Sequence, residues 1–408
     1  MRFLVLVALV CFGGVAAELK EIFAWKEVSF NWPSEDVKNN ALKAMEYIPE
    51  HNLPLGLERW KNKLFVTVPR WKSGVASSLN YIPINSTDKS PALTPYPDWK
   101  ANTLPKEGET LQDNHVISTF RVKVDPCDRL WVMDTGLADI KGDAKLHSSP
   151  AIVVFDLKTD QLVRRYVLKE SDSKGDSSFF ANIVVDVTKD TCDKAFAYLP
   201  DLGGYGLVVY SFADNKSWRI SNNYFHFDPL KGDLTVGGVN FQWTDGIFGL
   251  ALGPINQNGY RTAYFHALAS TEEFSVSTEV LRNETLAMDH NSFELYKHEG
   301  NKGEKSQTST SVFDQKTNVL FFTQLQRDAV ACWNTKKKLE PGNVALVAED
   351  HTNLVFTNDI SIDVERNLWI LSDRMPAFLY TKLDPNDVNY RILQIPVDEA
   401  IKETTCAV

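Results

Sequence analysis

The chain has 408 residues, enough for one large domain or two to three average ones. Hydrophobic residues make up 43% and charged residues 24%, an ordinary globular balance with a substantial core. The formal net charge of −10 argues against a general nucleic-acid binder, because there is no excess of cations to neutralise phosphates.

In chain order, the first element reads as a signal peptide over residues 1–17. Arg2 supplies the charged start, Phe3 to Phe12 an apolar stretch, and Val15-Ala16-Ala17 a small-residue cleavage site. A membrane span needs roughly 20 apolar residues, so this stretch is too short, and no later segment is as long and uncharged. The expectation is a secreted, unanchored chain starting near Glu18 and forming one domain over residues 18–408. Cys11 falls in the leader. Cys127, Cys192, Cys332 and Cys406 remain, an even count that suggests two disulfides among three possible pairings. Three glycosylation sequons begin at Asn85, Asn215 and Asn283, of which one or two are expected to be used.

The informative feature is an internal repeat. A short turn leads into a polar residue, a small or leucine-like residue, an aromatic and an apolar strand. The six copies are Lys63-Leu64-Phe65-Val66, Arg129-Leu130-Trp131-Val132, Lys194-Ala195-Phe196-Ala197, Thr262-Ala263-Tyr264-Phe265, Val319-Leu320-Phe321-Phe322 and Asn367-Leu368-Trp369-Ile370. Apolar strands precede most copies, as at Phe120–Asp125, Ile183–Asp186 and Ile360–Asp363. A third strand follows each: Leu79–Ile82, Ile152–Phe155, Leu207–Tyr210, Phe274–Ser277, Val330–Trp333 and Phe378–Thr381. Fourth strands are expected at Leu162–Leu168 and Tyr390–Ile395.

Six small antiparallel sheets of about four strands predict an all-β, six-bladed β-propeller, because radial packing buries both faces and protects the edges. A pair of β-sandwiches is the alternative, but no linker divides the chain. Ile22 to Phe30 is an amphipathic strand placed to complete the last blade. Cys127 and Cys192 occupy the same hairpin turn in consecutive copies, Cys332 a third strand and Cys406 the tail. This register predicts Cys127–Cys192 and Cys332–Cys406.

Several words in the repeat resemble those of the yellow / major royal jelly protein family. They include Arg129-Leu130-Trp131-Val132-Met133-Asp134-Thr135-Gly136, Asp201-Leu202-Gly203-Gly204-Tyr205-Gly206, Phe241-Gln242-Trp243-Thr244-Asp245-Gly246-Ile247-Phe248-Gly249 and Asn367-Leu368-Trp369-Ile370-Leu371-Ser372-Asp373-Arg374. Tyr264-Phe265-His266, Glu273–Thr278 and Cys332-Trp333-Asn334 add to these, so the resemblance runs from about Trp25 to Cys406. It implies an insect extracellular protein, a six-bladed propeller and two disulfides. Members include cuticle-pigmentation factors, dopachrome-converting enzymes, salivary amine binders and nutritive proteins, and fold cannot choose among them.

Standard catalytic signatures are absent: there is no Gly-x-Ser-x-Gly elbow, no His-Glu-x-x-His and no phosphate-binding Gly-x-x-x-x-Gly-Lys. The eight histidines are scattered, with none paired at metal-ligand spacing. No metal and no cofactor is expected. Gly203 to Gly206 reads as a tight turn, His266 as a structural residue, and Lys336-Lys337-Lys338 as a solvated hairpin tip. Trp131 and Trp369 read as packing between blades.

The resemblance to amine-binding salivary members implies a pocket at the channel formed by Phe120, Asn358, Asp373 and Met375, with Phe248 nearby. An aromatic face and a carboxylate suit an aromatic amine. Here Asp373 replaces an amide and Met375 an aromatic; Asp373 also reads as a strand-end turn acceptor. Two functions follow. The first is a pigment-pathway protein that binds or converts catechol- or indole-derived molecules. For a dopachrome isomerase, Asp373 is the candidate base and Arg121 or Arg374 the candidate anchor for the substrate's acid group. The second is a non-catalytic carrier of biogenic amines, or a structural or nutritive protein.

Overall fold

The computed structural model describes residues 19–106 and 108–407. The predicted signal peptide of residues 1–17, with Cys11, and Glu18 lie outside the described residues. Six four-stranded antiparallel sheets follow one another around an axis as the blades of a β-propeller. Blade 1 runs from Leu57 to Pro95, blade 2 from Thr119 to Val167 and blade 3 from Val184 to Ser221. Blade 4 runs from Ile247 to Asn301 and blade 5 from Ser311 to Glu349. Blade 6 combines Thr357–Ile362, Asn367–Ser372 and Tyr390–Pro396 with the N-terminal strand Lys20–Trp25.

The second strand of each blade carries the repeated word. These strands are buried on both faces: every residue of Arg129–Asp134 and of Val319–Gln324 is buried. That is why they read as continuous apolar runs and not as alternations. Trp131 packs between blades 2 and 3, its ring 6.4 Å from that of Tyr210.

Two features of blade 6 correct the sequence reading. Phe378–Thr381 is not a strand: Met375–Tyr380 forms a helix with Pro376 in its first turn. Proline has no N–H for a ladder, and its fixed φ suits a helix start. Arg374, at φ 48°, turns the chain out of the sheet just before it. Tyr390–Pro396 is therefore the third strand, and Lys20–Trp25 is the fourth. The closing strand is also shorter than Ile22–Phe30. In blade 3, Cys192–Lys194 form a 3-10 turn and the strand starts at Phe196.

The disulfides follow the predicted register. Cys127–Cys192 joins the first hairpin turns of blades 2 and 3, and Cys332–Cys406 pins the tail to the third strand of blade 5.

An aspartate at the end of the innermost strand organises those hairpin turns. Asp363 Oδ1 accepts from the N–H groups of Glu365 and Asn367, while Oδ2 accepts from Trp369 Nε1 at 2.8 Å and Arg59 Nη1 at 2.5 Å. Asp125 repeats the pattern with Cys127 N, Arg129 and Trp131 Nε1. Ion pairs then cross four blade junctions: Arg59–Asp363, Lys123–Glu58, Arg261–Asp186 and Arg366–Asp314.

Asp363→Ala leaves an indole N–H, a guanidinium and two backbone donors without the buried carboxylate that accepts from them. The expected loss is about 3–5 kcal/mol. Glu365 also pairs with Arg59 but is 61% exposed, so Glu365→Ala is expected to lose less than about 1 kcal/mol. Urea unfolding of both variants checks the contrast, and equal losses would contradict it.

Candidate functional site

The starts of the innermost strands converge at one end of the axis. Leu55, Phe120, Ala181, Phe248, Ser309 and Asn358, each at or just before the first strand of a different blade, form the floor of a cavity of about 450 Å³. Its upper walls come from outside the repeat. The turn of the Leu137–Leu146 hairpin contributes Ile140 and Lys141. The segment after the Asp233–Gln242 hairpin contributes Trp243, Thr244 and Asp245, and the Met375–Tyr380 helix contributes Met375, Leu379 and Tyr380.

Aromatic rings hold these walls together. Phe120 meets Trp71 edge-on at 5.0 Å and Phe179 edge-on at 4.9 Å, an arrangement that ring quadrupoles favour. On the other side Trp243 meets Phe356 at 5.8 Å and donates its indole N–H to the Tyr380 hydroxyl at 2.6 Å.

Of the residues singled out from sequence, Phe120, Phe248, Asn358 and Met375 line this cavity. Asp373 stands behind them, fully buried. Its Oδ2 accepts from Asn358 Nδ2 at 2.7 Å and its Oδ1 from the Met375 N–H at 3.1 Å. Burial pushes its carboxyl well above the usual range, against the pull of the Asn358 and Met375 hydrogen bonds. Asp373 thus serves as a turn acceptor and orients Asn358.

The two arginines lie elsewhere. Arg121 is buried beneath the floor and spans three neighbours. Nη1 donates to Ser309 O at 3.1 Å, Nη2 donates to Asn358 O at 2.6 Å, and Nε faces Asp359 at 3.2 Å. Its guanidinium also sits 4.2 Å from the Phe248 ring centre. Arg374 pairs with Asp387 at 2.6 Å and is not among the lining residues.

Lys141 and Asp245 face the cavity and were not singled out from sequence. Asp245 lies inside the Phe241–Gly249 word, which was a usable signal; Lys141 sits in an insert with none. They are the two charged groups among the lining residues. Burial pushes the Asp245 carboxyl up to about 6, while the Lys141 ammonium pulls it the other way.

The remaining motifs are structural. His266 Nδ1 contacts Glu273 at 2.9 Å, and Lys302 reaches the same carboxylate at 3.0 Å; all three are buried. His115 Nδ1 accepts from the Gln112 N–H within a turn. Gly203 to Gly206 form the turn between two strands of blade 3, and Lys336 to Lys338 that between two strands of blade 5. Among the described residues no group of three or more His, Cys, Asp or Glu could hold a metal, and no helix is long and apolar enough to cross a membrane.

Residues 117–406 match the family model described as Major royal jelly protein. The chain is 44% identical over 407 residues to Protein yellow of Drosophila subobscura, covering 99% of this chain and 70% of that protein. Against Protein yellow of Drosophila melanogaster the identity is 43% over 405 residues, with coverage of 98% and 73%. Among solved structures it is similar to the PQQ-bound aldose sugar dehydrogenase of Streptomyces coelicolor, at 11% identity and a TM-score of 0.47, covering 93% and 97% of the two chains. That distance carries no functional argument.

The raised Asp245 has a consequence for stability. Its unfolded-state value is near 3.8 and its folded value about 6. The folded protein is therefore not penalised below pH 4, and loses stability as pH rises through 6. The penalty at neutral pH is on the order of 3 kcal/mol at most. Asp245→Asn is expected to melt higher than wild type at pH 7.5 and level with it at pH 4, as measured by differential scanning calorimetry.

Proposed function

From the premise that the chain belongs to the major royal jelly protein / yellow family, we propose that it is a secreted pigment-pathway protein. In this reading it binds catechol- or indole-derived molecules in the aromatic cavity at the mouth of the propeller channel. The observation that carries the reading is the cavity itself. Trp71, Phe120, Phe179, Trp243, Phe248 and Tyr380 present ring surface to a space of about 450 Å³, the size range of small-molecule sites.

A flat ring fits between such walls by stacking and edge contacts. Asn358 supplies a neutral polar group at the floor for a ring hydroxyl. Secretion is supported by the leader-like N-terminus and by two disulfides, which persist in oxidising compartments. Asn85, Asn215 and Asn283 are exposed, as acceptors of glycans must be.

Calorimetric titration with dopamine, dopa and serotonin tests the reading. At least one should bind, and Phe179→Leu should weaken it about threefold to tenfold, the worth of one aromatic contact. Phe179 is only half-buried, so the variant should fold normally. No binding by any of the three would overturn the reading. Dopachrome colour loss above a heat-killed control assigns conversion; binding without colour loss assigns a non-catalytic carrier.

A further inference from the structure

Charged groups withdrawn from water in this protein are generally paired, as at Arg59–Asp363, Arg261–Asp186 and Arg366–Asp314. The cavity is different: Asp245 is half-buried in its wall, and Lys141 is exposed at its rim. Lys141 and Asp245 both face it, and among the described residues neither side chain has an ion-pair or hydrogen-bond partner, nor are they paired to each other. The Lys141 Nζ lies 6.0 Å from the centre of the Tyr380 ring. Every other lining residue is neutral.

Resting on the aromatic-cavity reading above, we propose that the site selects a zwitterionic aromatic amino acid, a phenolic or indolic ring whose short side arm carries both an ammonium and a carboxylate. Asp245 takes the ammonium, Lys141 takes the carboxylate, and the ring lies against the aromatic wall. A simple aromatic amine satisfies Asp245 but leaves Lys141 without a counter-charge. An aromatic acid does the reverse. Only a ligand with both groups pairs both, and the half-buried Asp245 carboxylate discriminates against an analogue that leaves it without a partner. The two residues come from different inserts, the 137–146 hairpin and the segment after the 233–242 hairpin. The ligand would therefore bridge two otherwise separate pieces of the cavity wall.

Three ligands with one ring separate these terms: dopa, dopamine and 3,4-dihydroxyphenylpropionic acid, titrated under argon at pH 7.5. Dopa should bind wild type on the order of tenfold to hundredfold more tightly than either analogue. Lys141→Met should abolish the preference for dopa over dopamine. Asp245→Asn should bring dopa down to the affinity of the acid. Lys141→Arg and Asp245→Glu should keep the preference, and melting curves confirm that each variant is folded. If dopamine binds wild type as tightly as dopa, the inference is overturned while the aromatic-cavity reading stands, and the wild-type series alone decides this. If none of the three ligands binds, the inference fails, and the aromatic-cavity reading fails with it only when serotonin does not bind either.

Discussion

A ring of six sheets has six junctions. Five are crossed by a chain that leaves one blade and enters the next. The sixth, between blade 6 and blade 1, depends on one strand ladder: Lys20–Trp25 against Tyr390–Pro396, residues more than 360 positions apart. Without it the third strand of blade 6 would present an open edge, the liability that closed rings remove. The strand's side chains are committed as firmly as its backbone. Phe23 and Trp25 are buried, and the Trp25 indole donates to Pro91 O in blade 1 territory at 3.0 Å. Arg59–Asp363 spans the same junction near the opposite end of the channel. The cavity floor relies on this closure, because Leu55 precedes blade 1 and Asn358 opens blade 6.

The blades were legible in the sequence because their central strands have no solvent face, so the same apolar word must recur wherever a blade recurs. The reading failed where apolar residues serve a different packing. Phe378 and Leu379 look like a strand, yet they belong to a helix whose Phe378 is buried under the cavity wall. Pro376 was the visible warning. The site was legible in part for the same reason. Phe120, Phe248 and Asn358 stand at strand starts, which radial geometry brings together. Lys141 and Asp245 stand on inserts that no repeat predicts, so only the folded chain places them on one cavity. Asp373 stood at the right position in the word but faces inward, toward Asn358.

Arg121 ties the blades together beneath the cavity floor. Its guanidinium lies under the floor, tied to carbonyls entering blades 5 and 6, to Asp359 and to the face of Phe248 from blade 4. One side chain from blade 2 thus braces three other blades across the axis. Burial pulls its pKa down and pushes that of Asp359 up, but each offsets the other's penalty in part. Below it lies a wider funnel of about 760 Å³, rimmed by the paired charges of the hairpin turns. The two spaces differ in kind: below, the rim charges are mostly matched to one another; above, two are left facing the cavity.

That contrast indicates how the molecule divides its labour. The blades carry stability through buried strands, hairpin aspartates and junction ion pairs, none of which can change without loosening a neighbour. The inserts at the upper end carry little of that burden, and loops positioned by a rigid scaffold are where binding groups are disproportionately found. Asp245 fits this division, since its burial subtracts stability in the empty protein. A group retained against its own stability penalty is the kind expected at a functional site. Asp245 and Lys141 both stand on these inserts and line the cavity. Changes in those inserts would therefore alter which ring and which side arm are admitted, while the six-bladed frame beneath stays the same.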